Sequence, residues 1–273
     1  GEEVELSDIN HGFSYGIDDD NQIFEVNPGN KETNMIFETE LEGRENSNGV
    51  AYHKKTSNVL FFNSKILYSW NTQTQALVKH KFEAGGTASA AVYGDGLFWI
   101  KSGTNELRYL DISPLNSGEK IPKTKSNYYK LDNYAKAGFG DIAITSDGIL
   151  YGSAAGGDIQ RGGFFSFNLQ SILDAGYKSG TSVDITKHEY KACGKTLWAD
   201  EGGNSIPVGL QLALSADEKV LYGQTHKNQS GQGLDTKGQY FAFTKKDRDG
   251  RFTSDLTYTA YQHFHPEMDG SGF

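Results

Sequence analysis

Gly140-Asp141-Ile142-Ala143-Ile144-Thr145-Ser146-Asp147-Gly148-Ile149-Leu150-Tyr151-Gly152 reads as two short alternating strands joined by a Ser-Asp-Gly turn. Leu210-Gln211-Leu212-Ala213-Leu214-Ser215-Ala216-Asp217-Glu218-Lys219-Val220-Leu221-Tyr222-Gly223 repeats the pattern, with the same aromatic near the end of its second strand. Asn48-Gly49-Val50-Ala51-Tyr52, followed by Val59-Leu60-Phe61-Phe62, is a third copy. Ala90-Ala91-Val92-Tyr93-Gly94-Asp95-Gly96-Leu97-Phe98-Trp99 is a fourth. A fifth, degenerate copy takes Val4–Ser7 as its first strand and Phe13-Ser14-Tyr15-Gly16 as its second.

Downstream of each copy the register continues. Ile23-Phe24-Glu25-Val26-Asn27, Leu67-Tyr68-Ser69-Trp70-Asn71, Leu107-Arg108-Tyr109-Leu110-Asp111, Phe164-Phe165-Ser166-Phe167-Asn168 and Tyr240-Phe241-Ala242-Phe243-Thr244 align without gaps as third strands. Their closing Asn, Asp or Thr suits a side chain that hydrogen-bonds the following turn. Fourth strands are expected at Met35–Phe37, Ala76–Val78, Tyr128–Leu131, Val183–Ile185 and Leu256–Tyr261. Five units of four short strands predict an all-β chain folded as a single β-propeller, five blades of four antiparallel strands. The blades fall near residues 4–38, 48–82, 88–131, 140–185 and 208–262 of the 273. Residues 112–127, 153–163, 186–207 and 225–238 read as insertions, either solvated connectors or parts of a binding face.

Asn48-Gly49-Val50-Ala51 and Gly140-Asp141-Ile142-Ala143, each followed by a turn and an aromatic strand, resemble the repeats of NHL and gluconolactonase-like propellers. The resemblance implies a ring of acidic and Asn ligands at the channel, holding a divalent metal for hydrolysis. This chain supplies Asn48 and Asp141, but Ser89 and Gln211 at the corresponding places are weak metal ligands, and a second carboxylate is missing from the pattern.

Composition agrees with strands. There are 15 Tyr, 16 Phe and only 2 Met, and 33 Gly against 5 Pro, which suits many tight turns. A net charge of −9 without a basic stripe argues against nucleic acid, and the apolar runs are strand-sized, which argues against membrane insertion. With Cys193 as the only cysteine, no intrachain disulfide can form. An extracellular or cell-surface location is the expectation adopted here.

Residues that begin the innermost strand of each blade point at one shared space. Asn48, Ser89, Asp141 and Gln211 occupy those places and form the candidate ligand-binding ring, able to hold a cation, water or a sugar hydroxyl. Asp247-Arg248-Asp249-Gly250 with Asp255 resembles a calcium loop, but lies where a Gly-containing hairpin turn is expected and lacks the closing bidentate Glu. His263, His265, Glu267 and Asp269 alternate, so an extended chain would put them on one face, a second candidate metal set. Any cofactor would be Ca2+ or another divalent cation. No Gly-x-Ser-x-Gly elbow or phosphate-cradling loop is present. The expected function is a non-catalytic binding or assembly module that presents loops to a glycan or protein partner, such as a structural subunit of a homo- or hetero-assembly. The alternative is a metal-dependent hydrolase of the gluconolactonase-like type.

Overall fold

A computed structural model of the chain describes residues 12–18, 20–27, 32–42, 46–101, 103–132, 139–154, 164–193, 211–224, 239–253, 258–262 and 270–272. Its strands form five small sheets. The first holds β1 (Ser14–Ile17), β2 (Gln22–Asn27) and β3 (Glu32–Glu38), and the second β4 (Asn46–His53), β5 (Asn58–Asn63), β6 (Ile66–Asn71) and β7 (Leu77–Glu83). The third holds β8 (Thr87–Tyr93), β9 (Gly96–Lys101), β10 (Glu106–Asp111) and β11 (Asn127–Asp132). In the fourth are β12 (Phe139–Ile144), β13 (Ile149–Ala154), β14 (Phe164–Asn168) and β16 (Lys191–Cys193), while β15 (Ser182–Asp184) joins the third. The fifth holds β17 (Gln211–Leu214), β18 (Leu221–Gln224), β19 (Gln239–Phe243) and β20 (Tyr258–Gln262), and β21 (Gly270–Gly272) returns to the first.

The innermost strands touch in a closed circle, β4 to β8 to β12 to β17 to β21 and back to β4. That circle makes the molecule a five-bladed β-propeller. The ring closes through β21, which pairs antiparallel with β1 and so becomes the innermost strand of the first blade. The repeat pattern assigned that position to Val4–Ser7, which lies outside the described residues. The place beside β1 belongs to the C-terminal strand. A ring whose last strand completes its first sheet leaves neither innermost edge unpaired.

Between neighbouring blades lie the cores. Aromatics of the second strands fill them: Phe61, Trp99, Tyr151 and Tyr222 are all essentially buried. Trp99 sits edge-on to Phe82 at 5.6 Å between ring centroids and tilted against Phe62 at 5.7 Å. The closing polar residues of the third strands work as expected. Asn71 Oδ1 accepts from the N–H groups of Gln73 and Thr74, Asp111 Oδ1 from Ser113, and Asn168 Oδ1 from Ser171. The last of these caps a short helix, α1 (Leu169–Asp174), whose Leu169 and Ile172 are buried.

One expectation fails. Val183–Ile185 is not the fourth strand of the fourth blade. Ser182–Asp184 instead pairs parallel with β11 as a fifth strand of the third blade, and Lys191–Cys193 closes the fourth. The alternation in Ser-Val-Asp is satisfied equally by either neighbour, and α1 carries the chain back to the third blade first. The insertion 112–127 is mostly exposed but packs part of itself inward. Ile112, Leu115 and Ile121 are buried in the seam between second and third blades, and the Lys81 N–H donates to the Ile121 carbonyl at 3.0 Å.

Candidate functional site

All four innermost strands from β4 to β17 begin at one end of the channel and turn into their hairpins at the other. Near its start each of the first three carries a shift in register: between Asn46 and Val50, between Thr87 and Ser89, and between Phe139 and Ile142. Such bulges kink a strand and re-aim its side chains. In β12 the bulge leaves the Asp141 N–H outside the ladder, and Ser153 Oγ accepts it at 2.8 Å.

The candidate ring lies at this end. Gly49 stands where β4 and β8 almost collide, since a Cβ there would come within 3.0 Å of the Ala90 Cβ and 3.3 Å of the Ser89 carbonyl carbon. The Asn48 side chain is outside the described residues. Ser89 is fully buried and its Oγ has no hydrogen-bond partner. Asp141 is buried on β12, with Oδ2 accepting from the Leu212 N–H of the next blade at 2.7 Å and Oδ1 without a partner. Burial raises its pKa well above the usual carboxylate range, against the two backbone N–H groups of Leu212 and Ile142 that favour its charge. Gln211, the residue before Leu212, is buried as well. The structure therefore brings Gly49 to Ser89, and Asp141 to the strand of Gln211, in a closed wall rather than an open mouth.

The opening is at the other end. A depression of about 390 Å3 begins at Ile142 and Leu212, one residue beyond Asp141 and Gln211, and extends to the hairpin turns. Ala51, Ala91, Ala143 and Ala213 line it, small residues that leave the space unfilled. Its rim is polar. Lys54 Nζ donates to the Ala216 carbonyl at 3.1 Å, reaching from the second blade's turn to the fifth's, which are not neighbours in the circle. Glu218 accepts from the Ser146 N–H at 2.6 Å and ties the fourth and fifth turns together. His53 is buried, with Nδ1 2.6 Å from Thr56 Oγ1 and Nε2 3.2 Å from Asp95 Oδ1. Burial lowers the His53 pKa although the Asp95 carboxylate pulls the other way. Asp95 also accepts from Asn116 at 3.3 Å and lies 3.6 Å from Lys55. Lys54 has no carboxylate partner among the described residues.

The repeat reading placed the ligand at the strand starts and passed over this rim. A signal was available: His53-Lys54-Lys55, Tyr93-Gly94-Asp95 and Ala216-Asp217-Glu218 all occupy the same turn of the repeat.

The other candidates fare differently. Lys191 Nζ is 3.0 Å from Asp247 Oδ2 and also bonds Asp249, while Asp247 Oδ1 accepts from the N–H groups of Asp249 and Arg251. Partial burial opposes the charge of Asp247, but Lys191 and those N–H groups keep its pKa below the usual range. Both carboxylates are thus turned toward an internal cation in a hairpin, the turn reading. Asp255, His263, His265, Glu267 and Asp269 lie outside the described residues. His188, close to Cys193 in sequence, uses both ring nitrogens on Ser171 Oγ at 2.7 Å and Tyr177 Oη at 3.1 Å. No group of three or more His, Cys, Asp or Glu side chains converges among the described residues, and no described helix is long and apolar enough to cross a membrane.

No protein-family model matches the chain, and no curated protein matches it. Three solved structures are similar to it over most of this chain. A chain of hydrazine synthase from Kuenenia stuttgartiensis is 12% identical with a TM-score of 0.43, over 90% of this chain and 66% of that one. A chain of a nidogen/laminin complex is 10% identical with a TM-score of 0.49, over 85% and 73%. The WD40 repeats of RRP9 are 9% identical with a TM-score of 0.40, over 88% and 58%. At such identities the likeness says nothing about activity or partner, and the NHL- and gluconolactonase-like resemblance of the repeats gains no support from it.

Proposed function

We propose that this propeller is a non-catalytic binding module that receives an acidic side chain or chain end of a protein partner in the depression at its hairpin-turn end. One observation carries the reading: an ammonium group without a carboxylate partner is held across the mouth of an apolar-walled cavity. A carboxylate entering there meets the Lys54 ammonium in a charge-assisted hydrogen bond. Its aliphatic stem covers the alanines. Because the chain as a whole carries −9, other faces repel the same ligand, which favours this orientation. The hydrolase alternative has less behind it, since Asp141 is the one carboxylate of the described ring and faces a backbone N–H.

Panning a displayed random-peptide library tests the proposal. Sequences rich in Asp or Glu should be enriched on the wild type and lost on the Lys54→Glu/Lys55→Glu variant, with the melting temperature unchanged. Enrichment indifferent to that double change, or enrichment of neutral sequences, would remove it.

A further inference from the structure

Tyr177 stands between α1 and β15, and His188 between β15 and β16. Their rings meet edge to face with centroids 5.9 Å apart, and Tyr177 Oη lies 3.1 Å from His188 Nε2. The surrounding bonds fix which nitrogen holds the proton. Ser171 Oγ donates its one hydrogen to the Asn168 carbonyl at 2.9 Å, so its 2.7 Å contact with His188 Nδ1 is one in which it accepts. With the proton on Nδ1, Nε2 carries a lone pair, and the Tyr177 hydroxyl donates to it. His188 is buried, and burial lowers its pKa against the pull of Asp184, which keeps the ring neutral near pH 7. A phenol is thus aimed at a basic nitrogen that is free to take its proton.

The tyrosines stacked behind Tyr177 have no such base. Tyr177 stands edge-on to Tyr129 at 6.3 Å between centroids, Tyr129 stacks on Tyr109 at 5.4 Å, and Tyr109 stacks on Phe98 at 5.5 Å. Phe98 lies 6.4 Å from Tyr93, which lines the depression. Tyr109 and Tyr129 bring their hydroxyls within 3.1 Å of each other, and Tyr93 donates to the amide oxygen of Gln170. Neither a phenol nor an amide takes up a proton readily near neutral pH. A phenol that loses an electron becomes strongly acidic, so the electron leaves most easily where the proton has a place to go. Along this column that place is beside His188.

We propose that Tyr177 is a redox-active tyrosine, from which a one-electron oxidant such as a peroxide-derived radical takes an electron while the phenolic proton passes to His188 Nε2. The O–H bond of Tyr177 breaks and an N–H bond forms at Nε2. The products are a neutral tyrosyl radical, an imidazolium whose Nδ1–H stays on Ser171, and the reduced oxidant. A thiolate then returns the electron and His188 returns the proton, which restores both residues. A tyrosine higher in the column that is oxidised first takes an electron from its neighbour, so the radical settles beside His188.

The test oxidises the full chain with photogenerated ruthenium tris-bipyridyl in the presence of a nitroso spin trap, and maps the adducts by peptide mass spectrometry. Tyr93, Tyr128 and Tyr177 are all half-buried, so access of the trap does not separate them. Tyr128 lies under the Arg108 guanidinium, 4.5 Å from its ring centroid, a cation that disfavours loss of an electron. Adduct on Tyr177 should exceed that on Tyr93 and on Tyr128 at least about tenfold, at the low end of what a positioned base contributes. In His188→Gln the amide can keep both hydrogen bonds but does not take up the proton, so the preference for Tyr177 should vanish with the melting temperature little changed. Should that variant fail to fold, the comparison within the wild type decides by itself. A Tyr177 yield no higher than those of Tyr93 and Tyr128, or a preference that His188→Gln retains, would overturn the proposal.

Discussion

At one end of the channel the innermost strands begin, kink and press together; at the other they turn outward and leave a depression. Both ends are made from the same five-fold repeat, yet the residues they place on the axis behave oppositely. Where β4 meets β8 there is no room for a single methyl group without displacement, because Gly49 already lies against Ala90 and Ser89. One turn of strand farther, alanines leave about 390 Å3 unfilled. The polar groups follow suit. Asp141 is buried and rigidly held, while Lys54 is exposed and reaches over open space. The difference teaches that in this ring the repeat position says where a side chain is aimed, but the local spacing of strands says whether a ligand can get there.

Substitutions should sort along the same line. Trp99, fully buried in the seam beside the closed wall, sets the upper limit. Trp99→Ala should cost about 3–5 kcal/mol, from lost transfer energy and the cavity left between Phe62 and Phe82. Urea unfolding measures it, and a loss below about 1 kcal/mol would mean the seam is not a core. Next comes the closed end itself. Gly49→Val should cost about 1–3 kcal/mol by wedging β4 from β8. If that variant unfolds with the wild type, the closed wall is far looser than described.

Acid and base should act on the two ends in opposite senses. His53 at the open end has its pKa lowered, so the unfolded chain takes up its proton first and stability is lost as pH falls below about 6.5. Asp141 at the closed end has its pKa raised, so the unfolded chain releases its proton first and stability is lost as pH rises above about 4. Melting temperatures between pH 4 and 8 should therefore lose their acid-side decline in part in His53→Gln, and their alkaline-side decline in part in Asp141→Asn. Identical pH profiles for both variants and the wild type would break the contrast. The smallest effect belongs to the mouth: Lys54→Ala should change stability by no more than about 0.5 kcal/mol, since an exposed side chain giving one hydrogen bond to a carbonyl contributes little. A larger loss would make Lys54 a strut of the ring instead of a group free to meet a partner.

Much of the fold was legible. The alternating pairs around Tyr151 and Tyr222, the gapless third strands and their closing Asn or Asp were enough to define four of the blades, because each such feature depends on local periodicity and turn chemistry. Val183–Ile185 was assigned to the wrong sheet because a three-residue alternation is compatible with any edge it reaches. Ile121 looked like part of a loop, and its burial depends on the seam it happens to cover. For the candidate ring, the repeat places Ser89 and Asp141 near the starts of their innermost strands, while their enclosure depends on neighbouring blades.

By itself the sequence determined the strand rhythm, the five repeats and the aromatic seams, all consequences of side-chain period and turn-forming residues within a few positions of one another. Only the tertiary structure decided how the circle closes. Gly270-Ser271-Gly272 carries no apolar alternation, and it becomes an innermost strand because β1 offers it an unpaired edge. Tertiary structure also decided which end of the channel is open. That depends on the separation of strands remote in sequence, set by a glycine at one end and by alanines and outward turns at the other, and strand separation is not a property any one repeat encodes.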